Sequence, residues 1–159
     1  MATQAQYQCF KDIYDREAKR AEYLIDRGKT YLTIITIYMG LLSVSADKII
    51  SRLAAHRSAV YLYALSLICF IASLSLLIFS IGIYKYIYPT NPENIIHGFT
   101  EEPPNDEDFF DDRIIEFSVA FRHNINVNEK RANLLKYASW FMLFGISCQA
   151  YVLLAIITF

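Results

Sequence analysis

The most telling scarcity in this chain is of charge: no Asp, Glu, Lys, Arg or His occurs in Thr30 to Ala46, Ser58 to Tyr84 or Tyr137 to Phe159. That absence argues against a proton-coupled transporter, whose pathway needs carboxylates, His or Lys inside the membrane. Three candidate spans are also too few for an inverted-repeat carrier within one chain. Cysteine is scarce, and Cys9, Cys69 and Cys148 have neither the spacing of a disulfide framework nor that of a metal site, so all three read as small packing residues. His56, His97 and His123 are scattered, with no pair at metal-ligand spacing. No glycine-rich phosphate loop, nucleophile elbow or His/Cys arrangement suited to nucleophilic catalysis is present. An enzyme is not expected, nor is a cofactor or a resident metal.

What is present is apolar length. The second and third uncharged stretches hold 27 and 23 residues, and hydrocarbon about 30 Å thick needs roughly 20 residues of helix. Both can span. The first, of 17 residues, is short, but Tyr31, Tyr38 and its flanking charges suit a third span. Of fifteen Lys and Arg, six precede Thr30, six lie in Lys85 to Lys136 and three lie in Asp47 to Arg57. The positive-inside bias places the N-terminus and residues 85–136 in the cytoplasm, with the C-terminus external, in a multi-pass inner-membrane protein. A cleavable signal peptide does not fit the charged 29-residue leader.

The sequence therefore predicts an all-α membrane protein. Its parts are a cytoplasmic amphipathic helix (1–29), a first span (30–46), an external loop (47–57), a second span (58–84), a cytoplasmic connection (85–136) and a third span (137–159). Phe10, Ile13, Ala21, Leu24 and Ile25 recur at helical spacing among charges that include Glu17, and the helix is expected to run through Gly28 into the first span. Lys85, Tyr86 and Tyr88 mark the interface after the second span, with Pro89 stopping that helix. Asn91 and Pro92 open a short helix that Gly98 ends, and an acidic loop with Pro103 and Pro104 follows. From about 105 to 136, Phe109, Phe110, Ile114, Phe117, Phe121, Ile125 and Leu134 keep helical spacing toward the third span. Two span helices thus extend into the cytoplasm. Their apolar stripes need cover from each other or from further copies, so a homo-oligomer is expected.

Within the spans, Thr33, Thr36, Gly40, Ser43 and Asp47 draw one small and polar stripe along a helix face, suited to close helix packing or to a wet passage. Ala59, Ser66, Ser73 and Ser80 repeat every seven residues, the period of a packing seam, and Ser hydroxyls can bond their own i−4 carbonyls. Gly145, Cys148 and Gln149 mark the third span, where the Gln149 amide needs an interhelical partner. Asp106, Glu107, Asp108, Asp111 and Asp112 offer oxygen ligands without calcium-loop spacing and suit a solvated helix start. Asn124, Asn128 and Arg131 share a face, with Arg122 and Lys130 on others. They fit a nucleotide's base and phosphates, or equally a structural role at the bilayer interface.

Arg20, Asp26 and Lys29 entering the first span, with Asn124, Asn128, Glu129, Lys130, Leu134 and Leu135 entering the third, give a layout that resembles small transmembrane effectors of bacterial antiphage systems of the Pycsar and CBASS types. The resemblance implies an effector whose cytoplasmic part senses a phage-triggered nucleotide signal and whose oligomer permeabilises the inner membrane. The chain departs from that scheme in having no recognisable nucleotide-binding domain, only about fifty connecting residues. The resulting expectation is a homo-oligomeric gated pore that collapses the membrane potential. The alternative is a membrane-anchored scaffold that forms no pore and recruits a cytoplasmic partner protein through its N-terminal helix and segment 105–135, Phe117 and Phe121 among its residues. The bilayer, further copies of the chain and a nucleotide or protein signal are the expected partners; a nucleic acid duplex is not.

Overall fold

The computed structural model describes residues 3–53, 57–82, 85–89 and 106–158. Among these are three α-helices and no strand: α1 (Gln4–Leu53), α2 (Arg57–Gly82) and α3 (Asp106–Thr158). Thr3 and Gln6 start α1 with a capping box, in which the Thr3 N–H donates to Gln6 Oε1 at 2.9 Å and the Gln6 N–H donates to Thr3 Oγ1 at 3.4 Å. No proline interrupts α1 or α3, and α1 runs unbroken through Gly28 for 50 residues. By length and composition, α2 over Ser58–Gly82 and α3 within Phe109–Ile156 are apolar enough to cross a membrane. The Thr30 to Ala46 stretch of α1 is not among these candidate spans.

Two boundaries differ from the sequence expectation. α1 continues through residues 47–53, which the charge pattern assigns to a loop, because a helix tolerates Asp, Lys and Arg wherever one face remains covered. α2 stops at Gly82, well before Pro89. Lys85–Pro89 have no regular secondary structure, and side chains of other helices take up the Ile87 backbone groups (below). The short helix expected at Asn91 to Gly98, the loop to residue 105, His56 and His97 lie outside the described residues. So do the side chains of Asp47, Asp106, Glu107 and Asp108.

Burial follows a seven-residue period on all three helices. On α1 it takes Tyr14, Ala21, Gly28, Ile35 and Ile49, with Glu17 and Leu24 beside them. On α2 it takes Ala59, Ser66, Ser73 and Ser80, and in parallel Tyr63, Phe70 and Leu77. On α3 it takes Phe117, Asn124, Arg131, Ala138, Gly145 and Val152. This is the period that keeps one helix face on its neighbour.

The chain divides into two compact units, Met1–Leu24 with Tyr84–Lys130, and Ile25–Ile83 with Arg131–Phe159. The first, charged unit has a core of Tyr14, Phe117 and Ala120 with Tyr7, Ala18 and Tyr86 against it. Tyr14 and Tyr7 meet the Phe117 ring edge-on at centroid distances of 5.4 and 5.8 Å. In the second, apolar unit, Ile49, Ala59, Tyr63 and Val152 form one cluster. Phe70 meets Tyr38 with ring centroids 5.1 Å apart, and a Cβ added at Gly145 would stand 3.0 Å from the Phe70 ring. An alanine at 145 would thus press on the Phe70 ring where the helices approach closely.

Candidate functional site

In the apolar unit the exposed half of α1 carries two kinds of surface. At about 100° per residue, Thr33, Thr36, Gly40 and Ser43 occupy one sector of about 80°, and Ile34, Ile37, Leu41 and Val44 the next. All eight are exposed, Val44 by 87 %. Gly28, Ile35, Tyr38 and Leu42 occupy the covered side. Each hydroxyl of the polar row donates back to its own helix: Thr33 to the Lys29 carbonyl at 3.0 Å, Thr36 to Leu32 at 2.8 Å and Ser43 to Met39 at 2.9 Å. These groups are satisfied without a ligand and still present oxygen lone pairs outward. At Gly40, an added Cβ would meet nothing within 4 Å.

The serine seam of α2 lies against α3. Gln149 Nε2 donates to Ser66 Oγ at 2.6 Å, and Ser66 in turn donates to the Tyr63 carbonyl at 2.7 Å. Ser73 donates to the Ala138 carbonyl at 2.8 Å and Ser80 to the Arg131 carbonyl at 3.4 Å. These two hydroxyls therefore bond across helices rather than back along their own, because the seven-residue repeat puts them where α3 is closest. Ser66, Ser73 and Gln149 are all but fully buried. Gln149 Oε1 is buried with no hydrogen-bond partner among the described residues. The amide thus finds the interhelical donor–acceptor contact its depth demands, with half its capacity unused.

The charged unit holds a second polar constellation. Asn124 brackets the Ile87 peptide: its Oδ1 accepts the Ile87 N–H at 2.9 Å and its Nδ2 donates to the Ile87 carbonyl at 2.8 Å. The Tyr14 hydroxyl donates to the same carbonyl at 3.3 Å, and His123 Nε2 lies 3.1 Å from the Lys85 carbonyl. Asn128 Nδ2 donates to the Glu17 carbonyl at 3.0 Å and to its Oε1 at 2.8 Å, and Arg20 pairs with the same carboxylate oxygen at 3.1 Å. Burial pushes the Tyr86 hydroxyl up to about 12, with the negative ends of Tyr14, Glu17 and Tyr88 adding to it. Tyr14 is raised in the same way, by burial first and then by Tyr88 and Asp15.

The residues considered for signal or partner binding therefore divide. Asn124, Asn128, Arg131 and Phe117 are buried, Phe121 is half-buried, and Arg122 and Lys130 are exposed. The Asn124 amide and Asn128 Nδ2 are spent inside the chain, Asn128 Oδ1 is buried with no hydrogen-bond partner among the described residues, and Phe117 packs against Tyr7 and Tyr14. The residue type of Glu17 puts it on the charged face, yet it is buried at 9 % exposure. Its place in the repeat Tyr14, Glu17, Ala21, Leu24, Gly28 is the signal that could have found it. Tyr14 belongs to the same repeat, whereas Ile87 and Tyr86 carry no comparable sequence signal. Comparisons with protein-family models, curated proteins and solved structures gave no match.

Proposed function

We propose that this chain is a membrane effector that assembles with copies of itself into a gated ion-conducting pore, with α1 as the lining helix. A helix that met only lipid would be apolar over its whole exposed half. The exposed half of α1 is instead split into an apolar sector, Ile34, Ile37, Leu41 and Val44, and a polar sector, Thr33, Thr36, Gly40 and Ser43. That split is the observation that carries the proposal. The apolar sector faces lipid or a neighbouring copy; the polar sector faces the axis, where hydroxyl oxygens and a glycine give a narrow wetted path free of charged barriers. Asp47 continues the row toward the outer side in the sequence. In this reading the Thr30 to Ala46 part of α1 is the first of three spans, the charged unit is cytoplasmic and controls opening, and the setting is the inner membrane of an infected bacterium.

The scaffold alternative takes its motive from apolar stripes that await a partner protein, and Phe117 is already covered by Tyr7 and Tyr14. The deciding experiment measures membrane potential with a voltage-sensitive dye in bacteria expressing the chain, before and during phage infection. Replacing Thr33, Thr36 and Ser43 by Leu together should abolish depolarisation while the protein still inserts. Unchanged depolarisation in that variant would overturn the lining assignment. An intact potential with the wild-type chain in every condition would overturn the pore and return the scaffold.

A further inference from the structure

Among the described residues, Lys85–Pro89 is what connects α2 to α3, and it is held by side chains instead of by a sheet. The Asn124 amide takes both backbone groups of Ile87, the Tyr14 hydroxyl adds a second donor to the Ile87 carbonyl, and His123 reaches the Lys85 carbonyl. Apolar cover is slight by comparison: Ile87 is 38 % and Tyr88 76 % exposed. Tyr86 is the residue of this segment that lies against the Tyr14, Phe117 and Ala120 core. A segment gripped by a few directed bonds, with little apolar burial, opens locally at a fraction of the cost of unfolding the helices beneath it.

We infer that Lys85–Pro89 is a latched strap, that the Asn124 carboxamide is its latch, and that release lifts Tyr86 off the Tyr14–Phe117–Ala120 cluster while α1 and α3 stay folded. A carboxamide is suited to this because it presents a donor and an acceptor side by side, matching the N–H and C=O of one residue. Aspartate has nearly the same shape but two acceptors, so Asn124→Asp turns the Nδ2 bond to the Ile87 carbonyl into a repulsion. The strap stands on its own geometry; that its release opens the membrane path rests on the pore proposed above.

The test is backbone amide hydrogen exchange on the full chain in detergent micelles. In Asn124→Asp the Ile87 amide should exchange about tenfold faster through opening of the strap, the effect of losing one well-made hydrogen bond, that from Nδ2 to the Ile87 carbonyl. Amides of Phe117, Ala120 and Val127 should keep their protection. No acceleration at Ile87, or equal acceleration throughout α1 and α3, would overturn the strap. Should Asn124→Asp fail to fold, Tyr14→Phe removes one bond to the Ile87 carbonyl and keeps the ring. Faster Ile87 exchange confined to Lys85–Pro89 then supports the strap, and unchanged exchange overturns it. In cells, Asn124→Asp should depolarise at lower expression than wild type. Local acceleration at Ile87 with no depolarisation by either protein leaves the strap standing and removes the pore. Depolarisation by wild type with Ile87 exchange unmoved does the reverse.

Discussion

Replacing Gly145 by Ala is the sharpest test of how the apolar unit is packed. The new Cβ would stand 3.0 Å from two ring carbons of Phe70 and 3.3 Å from a third, where carbon pairs prefer about 3.5–4.0 Å. The ring must withdraw by about half an ångström. It has little room, because Phe70 is 1 % exposed and Tyr38 stands against it. Overpacking of this kind costs about 1–3 kcal/mol, against about 1 kcal/mol that Ala gains over Gly in a helix. The net expectation is a destabilisation of up to about 2 kcal/mol, or up to roughly 30-fold in the folded-to-unfolded ratio. Gly28→Ala is the control, since its Cβ would meet Ile81 Cγ1 at 3.1 Å and Leu135 Cδ2 at 3.4 Å, aliphatic side-chain atoms that can turn aside. Its effect should lie within about 0.5 kcal/mol of zero, strain and helix gain offsetting each other. The assay is SDS-driven unfolding in mixed micelles, followed by far-UV circular dichroism. Adding Phe70→Leu to Gly145→Ala should recover part of the loss and show coupling above about 0.5 kcal/mol in a double-mutant cycle. A Gly145→Ala protein more stable than wild type, or no coupling to Phe70, would refute the packing argument.

Further outcomes follow from the polar groups. Ser66→Ala should destabilise more than Gln149→Leu in the same SDS assay: the first strands a buried amide at a cost of about 1–3 kcal/mol, and the second removes an amide whose Oε1 already lacks a partner. Equal effects would argue against that contact. Tyr86 has its folded pKa raised from 10.0 to about 12, so its neutral hydroxyl favours the fold. This contribution is complete below pH 10 and is lost as pH rises through about 12. Titration of tyrosinate absorbance, wild type minus Tyr86→Phe, should show one tyrosine ionising late; a midpoint near 10 would contradict its burial.

Much of the helical plan was legible because its signals are one-dimensional. Uncharged runs mark α2 and the distal part of α3, and the absence of proline from Gln4–Leu53 and Asp106–Thr158 lets each helix continue. The seven-residue spacing of Ser66, Ser73 and Ser80 marks a seam without reference to any contact. The matching repeats on α1 and α3 were harder to see, because Glu17, Asn124 and Arg131 occupy positions where a pattern search looks for apolar residues.

The sequence by itself determined that the chain is helical and where it is apolar, since periodicity, proline and charge act on each helix separately. Only the tertiary structure decided where the hydroxyls and amides go. Ser73 bonds to Ala138, Gln149 to Ser66, Asn128 to Glu17 and Asn124 to the Ile87 backbone, partners 65, 83, 111 and 37 residues away. Sequence spacing says which face a polar group occupies, but its partner is whatever donor or acceptor another helix brings within about 3 Å of it, and that distance exists only once the helices are packed.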